Sequence, residues 1–261
     1  MGLLDGNVAV ITGAASGIGK GTAVRFAKEG AKLALADIDY EPGEALANVI
    51  NATGGEAFFM PCDVSDAAQV EAFVNAAHAK YGRIDTVFAN AGINGVWSPV
   101  EEITPEEWDL TMNINLRGTF LTVKYAVPFL KQNEHGGSIL ITSSVNGNRT
   151  FSTVGASAYS SSKAAQVAFM KMIALELGRH KIRANAICPG AIHTNIGENT
   201  QQRHTDAIGI AVEMPKGSPA LHGGQGEPDD VAAACVFLAS ELSRHVSGVE
   251  MYVDGGASLL R

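Results

Sequence analysis

Short apolar runs rich in Val, Ile, Leu and Ala recur along the chain, and each is followed by a turn and then a stretch whose apolar positions return with a helical period. The first run, Val8-Ala9-Val10-Ile11-Thr12, leads into Gly13-Ala14-Ala15-Ser16-Gly17-Ile18-Gly19 and a helical pattern from Lys20 to Glu29. Gly30 closes that helix, and Lys32-Leu33-Ala34-Leu35-Ala36-Asp37 is a second buried strand. A helix from Glu41 to Thr53 ends at Gly54-Gly55, and the third strand spans Glu56 to Val64. Ser65 or Asp66 caps the next helix, which runs to Tyr81-Gly82 before the fourth strand, Thr86-Val87-Phe88-Ala89. Strand and helix thus alternate with a period of about 25 to 30 residues, the pattern of a parallel sheet carrying helices on both faces.

The second half continues in the same way. Thr104-Pro105-Glu106-Glu107 combines the spacing of a capping box with proline at the first helical position, and the pattern predicts one helix through Trp108 to Lys131. Within it, Asn113 and Asn115 lie among apolar neighbours, where an amide needs partners. The fifth strand is Ser138 to Ser144, a helix follows over 157–179 after an irregular loop from Asn146 to Gly155, and the sixth strand is Ile182 to Gly190. The segment from Asn195 to Gly226 is different in texture, with Gln201, Gln202, Arg203 and His204, then Met214-Pro215-Lys216-Gly217-Ser218-Pro219 and Gly223-Gly224. A helix resumes near Glu227-Pro228.

Composition narrows the function. The 261 residues fit one large α/β domain over 1–261, and 46% are hydrophobic. A net charge of −8 without clusters of Lys or Arg argues against nucleic acid or an anionic membrane as partner and favours a small molecule. Cys62, Cys188 and Cys235 are far apart, and neither they nor the scattered histidines have metal-ligand spacing, so no metal is expected and the thiols are expected to be free and buried. No run has membrane-spanning length and the N-terminus lacks a basic leader, which makes a cytoplasmic enzyme the expectation.

Three constellations carry chemistry. The glycine turn after the first strand brings main-chain amides close to a ligand, and the helix N-terminus behind it favours a phosphate. Asp37, at the end of the second strand, can accept hydrogen bonds from both ribose hydroxyls of an adenosine and would repel a 2′-phosphate. Ala15, Ser16 and Ile38 offer no compensating positive charge, so the expected cofactor is NAD rather than NADP. Asp63, Val64, Asn90, Ala91 and Gly92 fall on the same carboxyl rim of the sheet, where such folds bind ligands. Finally, of five tyrosines only Tyr159 has a lysine four residues on, Lys163, and that spacing puts phenol and ammonium on one helix face. A nearby positive charge lowers a phenol pKa from about 10, which makes Tyr159 a candidate acid/base.

With Thr12-Gly13-Ala14-Ala15-Ser16-Gly17-Ile18-Gly19, Asn90-Ala91-Gly92, Ser144, Tyr159-Ser160-Ser161-Ser162-Lys163 and Pro189-Gly190 in this order, the chain resembles the short-chain dehydrogenase/reductase family over nearly its whole length. Val253-Asp254-Gly255-Gly256-Ala257 is similar to the family's last strand and its exit. The resemblance implies a single Rossmann-like, doubly wound parallel sheet of about seven strands. It implies Tyr159 as proton donor and acceptor, Lys163 as the residue that lowers the tyrosine pKa and holds the nicotinamide ribose, and Ser144 as the hydroxyl that polarises the substrate oxygen. Asn115, directly before Leu116-Arg117-Gly118, matches the proton-relay asparagine, whereas Asn113 does not. Ile192 and Thr194 match positions that contact the nicotinamide carboxamide and phosphates.

Ser144 and Tyr159 are separated by about two residues more than is usual in the family, which implies a small insertion around Asn148 to Ala156 and leaves Ser143 as the fallback hydroxyl. The 195–226 segment matches a substrate lid, and the Asn94 to Pro99 loop with Trp97 would line the pocket. The expected activity is NAD-dependent interconversion of a secondary alcohol, such as a polyol or sugar, and a ketone, by an enzyme that assembles as a homotetramer through helices 104–131 and 157–179 and the last strand. The alternatives are a 3-oxoacyl-carrier-protein reductase and a catalytically silent dinucleotide-binding regulator. Asp37 and the acidic charge weigh against the first, and the intact Ser144, Tyr159 and Lys163 set weighs against the second.

Overall fold

A computed structural model describes residues 2–260 apart from 212, 214, 215, 217, 218, 220 and 222. Seven parallel strands form one sheet in the order β3-β2-β1-β4-β6-β7-β9, where β1 is Val8–Thr12, β2 Lys32–Asp37, β3 Glu56–Pro61, β4 Thr86–Ala89, β6 Gly137–Thr142, β7 Ile182–Pro189 and β9 Glu250–Val253. Two short strands, β5 (Gly95–Trp97) and β8 (Thr200–Gln202), pair with each other outside that sheet. The order reverses between β1 and β4, so a crevice opens at their carboxyl ends.

Alternation along each strand sends side chains to opposite faces, and both faces are covered. Ala9, Ile11, Leu33 and Leu35 pack with α1 (Gly17–Lys28), α2 (Tyr40–Ala52) and α7 (Pro228–Ala239). Val10, Ala34, Val87 and Ile139 face α3 (Ala67–Tyr81), α5 (Gly118–Leu130) and α6 (Ser157–Leu177). Burial on both sides is why these strands are apolar throughout rather than alternating.

Four differences from the sequence pattern matter to function. The long helix expected from 104 to 131 is instead α4 (Pro105–Met112), a π turn over Asn113–Arg117, and α5. The Gly118 amide donates to the Asn113 carbonyl five residues back, and hydropathy cannot report a change of one residue in the hydrogen-bond step. β3 stops at Pro61 rather than Val64, and β6 stops at Thr142, so Ser143 and Ser144 lie just past the strand. α1 begins at Gly17, three residues before the expected Lys20. The expected lid holds β8 and short 3-10 turns at Asn195–Asn199 and Thr205–Ile208, while Met214, Pro215, Gly217 and Ser218 of its central stretch lie outside the described residues. Among the described residues, no helix is long and apolar enough to cross a membrane.

Three strand ends are tied together across the switch point. The Asn90 side-chain amide donates to the carbonyls of Thr12 and Gly13, both at 3.1 Å, and its Oδ1 accepts from the Thr142 hydroxyl at 2.9 Å. The Thr12 hydroxyl accepts in turn from the backbone amides of Asn90 and Ala91. Asn90→Ala removes all three side-chain bonds and should lower unfolding stability by about 1–3 kcal/mol, measured as the midpoint shift in denaturant unfolding; an unchanged midpoint contradicts this role.

Candidate active site

A cavity of about 880 Å³ opens beyond the carboxyl ends of β1, β4, β6 and β7. Every residue expected to hold a dinucleotide lines it except Gly19, and Ser144, Tyr159 and Lys163 line it as well. Gly19 lies behind the wall, where a Cβ would stand 1.9 Å from the Gly13 carbonyl oxygen and 2.7 Å from the Asn90 amide nitrogen. Only glycine permits that packing of helix onto turn.

The residues at one end fit a dinucleotide. Ser16 caps α1 with extended backbone and no side-chain bond to the first turn, and that turn contains no acidic residue, so its main-chain amides are available to a phosphate. Gly13 has φ of +66°, and a Cβ there would come within 2.8 Å of Ala91 Cα, which presses the turn against the end of β4. One oxygen of Asp37 accepts from the Ala15 amide at 2.9 Å and the other from the Asp39 amide at 3.2 Å. These bonds fix the carboxylate at the cavity rim and leave each oxygen a lone pair for a ribose hydroxyl. Asp63 is held similarly, accepting from the Ser65 amide and hydroxyl at 2.8 and 2.7 Å.

At the other end Tyr159 and Lys163 are both buried on the first turns of α6. The Lys163 ammonium donates to the Thr142 carbonyl at 2.8 Å and sits 5.6 Å from the centroid of the Tyr159 ring. The Tyr159 hydroxyl faces Ser144, whose Oγ accepts from the Asn146 amide at 3.1 Å. Ser143, the fallback hydroxyl, spends its proton on the Lys163 carbonyl at 2.8 Å and so serves to hold α6 against β6. The longer loop therefore leaves Ser144 opposite Tyr159. Its Asn146 amide reaches Thr153 Oγ1 at 2.8 Å, which closes the loop on itself.

Burial pushes the Tyr159 phenol up, opposed by the facing Ser144 hydroxyl, and pulls the Lys163 ammonium down to about 8. The expected lowering of Tyr159 by Lys163 is thus not produced by the protein alone. Loss of water outweighs an ammonium whose contact is with Thr142.

Asn115 is fully buried in the π turn. Its amide donates to the Ile93 carbonyl and to Ser162 Oγ, both at 2.9 Å, and its Oδ1 accepts from the Ile93 amide at 2.8 Å. Both N–H groups are spent, so the side chain joins the β4 exit to the tyrosine helix. Asn113 is exposed. Cys62 and Cys188 border the site as thiols that burial pushes up to about 12, which makes them poor nucleophiles. All three cysteines are free and buried, and no group of three potential metal ligands occurs among the described residues.

Sequence reasoning did not find Thr142, Thr12 or Thr200. Thr142 acts on Lys163 through its carbonyl, which carries no residue signature. Thr12 and Thr142 end strands whose neighbours are known only from the topology. Thr200-Gln201-Gln202 shows no apolar alternation, and its strand exists only because β5 lies beside it.

The family model described as enoyl-(acyl carrier protein) reductase matches residues 13–258. Among solved structures, a 3-ketoacyl-ACP reductase from Sinorhizobium meliloti 1021 is 50% identical, superposes with a TM-score of 0.93, and is matched over 97% of this chain and 100% of that one. A 3-ketoacyl-(acyl-carrier-protein) reductase from Brucella melitensis, solved with NADH, is 34% identical with a TM-score of 0.86 over 98% and 99% of the two chains. D-threitol dehydrogenase of Mycolicibacterium smegmatis is 37% identical over 98% of this chain and 94% of its own length. With a family match over most of its length and full-length relatives at these identities, the chain belongs to the short-chain dehydrogenase/reductase family of oxidoreductases.

Proposed function

We propose that the protein is an NAD-dependent oxidoreductase that interconverts a secondary alcohol, such as a polyol or sugar, and the corresponding ketone. The observation that carries this reading is one cavity with Asp37 beside the phosphate-binding turn at one end and Ser144, Tyr159 and Lys163 together at the other. When bound, NAD supplies the hydride acceptor and a positively charged ring beside the phenol. The remaining work falls to the chain. Ser144 donates a hydrogen bond to the reacting oxygen, and Tyr159 takes the carbinol proton as a ketone forms or returns it in the reverse direction. Lys163, anchored on Thr142, holds the nicotinamide ribose and keeps a positive charge near the phenol. Bringing a phenol from about 10 to neutrality requires roughly 4 kcal/mol; burial of Tyr159 adds to that requirement, and the two charges in a partly dry site must supply it.

The NADH complex of the Brucella relative supports a dinucleotide in this crevice, and Asp37, with Ala15, Ser16 and Ile38 around it, supports NAD over NADP. The similarity to 3-ketoacyl-ACP reductases favours a second reading, reduction of a 3-oxoacyl thioester. The net charge of −8 opposes it, since an acidic carrier would meet an acidic enzyme. The 195–226 segment acts in this scheme as a lid over the substrate. We extend the proposal to assembly as a homotetramer, supported by the apolar side chains that α5 and α6 leave exposed, among them Phe120, Met172 and Leu175.

Turnover of a panel of alcohols and ketones, followed by NADH absorbance, tests the activity. KM should be lower and kcat/KM higher with NAD(H) than with NADP(H), and the reverse order overturns the role of Asp37. Tyr159→Phe should keep the melting temperature and NAD affinity while kcat falls by about 100-fold or more, whereas near-wild-type kcat ends the assignment. Lys163 adds a pH signature to stability. Its folded pKa, about 8, lies below the ordinary value of 10.5, so the native chain releases its proton first and stability rises with pH between those values. Between about pH 7.5 and 9.5 the wild type should gain on the order of 1–2 kcal/mol relative to Lys163→Met in denaturant unfolding; parallel pH curves would show that the ammonium is not desolvated.

A further inference from the structure

Asn94 precedes β5, is 8% exposed and lines the cavity. Its Nδ2 donates to Thr200 Oγ1 at 2.8 Å, and the Thr200 hydroxyl in turn donates to the Ile196 carbonyl at 3.1 Å. The single Thr200 proton is thereby spent, so its oxygen can only accept. That fixes the orientation of the Asn94 amide, with the NH2 group toward Thr200 and the carbonyl left over. No described residue donates to Oδ1, and it is not among the buried polar atoms lacking a partner, so the carbonyl keeps some exposure; Asn94 lines the cavity.

The arrangement is rigid. Gly95 has φ of +68°, and a Cβ there would stand 2.2 Å from Thr111 Oγ1, which presses this part of the chain onto α4. The Arg203 amide donates to the Trp97 carbonyl at 2.9 Å, while the Arg203 guanidinium grips both oxygens of Glu107, each at 2.9 Å. Glu107 also closes the capping box at the start of α4. β8, which carries Thr200, is therefore bolted to a helix end rather than left as a free loop. Asn94 lines the same cavity as Ser144, Tyr159 and Lys163.

The charges around the cavity sharpen the chemistry. Asp37, Asp39 and Asp63 are at the glycine-turn end, Lys163 is held by Thr142, and Asp254 accepts from the amides of Gly256 and Ser258. Among the described lining residues no cation remains for a phosphate or carboxylate. A fixed amide carbonyl repels another carbonyl and is satisfied by a donor.

We propose that Asn94, oriented by Thr200, accepts a hydrogen bond from a second hydroxyl of the substrate, so that the enzyme selects uncharged polyhydroxy alcohols over mono-alcohols and acyl thioesters. The proposal rests on the oxidoreductase reading and narrows its substrate class.

The test compares kcat/KM with NAD for 2-butanol, 2,3-butanediol and threitol, and in the reducing direction with acetoacetyl-CoA. The wild type should prefer the better of the two polyhydroxy substrates to 2-butanol by about tenfold or more, because a site built to bond a hydroxyl rejects the analogue lacking it. Asn94→Ala should collapse that preference to within about threefold. Thr200→Val, which leaves Asn94 in place but frees its amide to rotate, should reduce the preference partway, and it serves if the alanine variant does not fold. Equal efficiency on 2-butanol and both polyhydroxy alcohols, an undiminished preference in both variants, or a better rate with acetoacetyl-CoA overturns the inference while leaving the oxidoreductase reading intact. No turnover of any of these with either NAD or NADP overturns that reading, and this inference falls with it.

Discussion

The site depends on one constraint, the hydrogen-bonded bridge that Asn90 makes between the ends of three parallel strands. Thr12 closes β1, Asn90 follows β4 and Thr142 closes β6, and their bonds hold the crevice open at a fixed width. The same Thr142 presents its carbonyl to the Lys163 ammonium on α6. The glycine turn, the strand ends and the tyrosine helix are therefore registered to one another by short bonds at the point where strand order reverses. A parallel sheet by itself gives a rim; these three side chains give it a geometry.

Burial then sets the chemistry. Around Tyr159 and Lys163 it disfavours both charged forms, pushing the phenol up and the ammonium down. The protein thus holds the pair in a state that a bound positive charge would change most, since a charge acts more strongly where water is excluded. In the proposed mechanism, proton transfer is in this way coupled to a positively charged cofactor rather than built permanently into the chain. The substrate side follows a different principle, in which uncharged amides and hydroxyls are oriented by partners that have no spare proton. Asn115 and Asn94 show the contrast: every N–H of the first is spent on structure, whereas the second keeps a carbonyl free.

The strands, the glycine turn and the order of the helices were legible in the sequence because hydropathy period and turn chemistry are local properties. Asp37, Asn90 and Ser144 could be marked as well, since strand ends in an alternating α/β pattern must collect on one rim, and Tyr159 and Lys163 by their one-turn spacing on a helix, with the family resemblance supplying the roles of Ser144, Tyr159 and Lys163. Tertiary structure decided the rest. The π turn at Asn113–Arg117 differs from α-helix by one hydrogen-bond step and leaves the hydropathy pattern unchanged. β8 has no strand signal of its own and forms because β5 offers it an edge. The choice between Ser143 and Ser144 turned on which hydroxyl meets the Lys163 carbonyl, and the direction of the Tyr159 shift turned on burial, which a spacing of four residues does not specify. Sequence by itself determined which groups could meet at the rim; only the packed structure decided which atoms of those groups remain free to react, because that depends on partners brought in from distant parts of the chain.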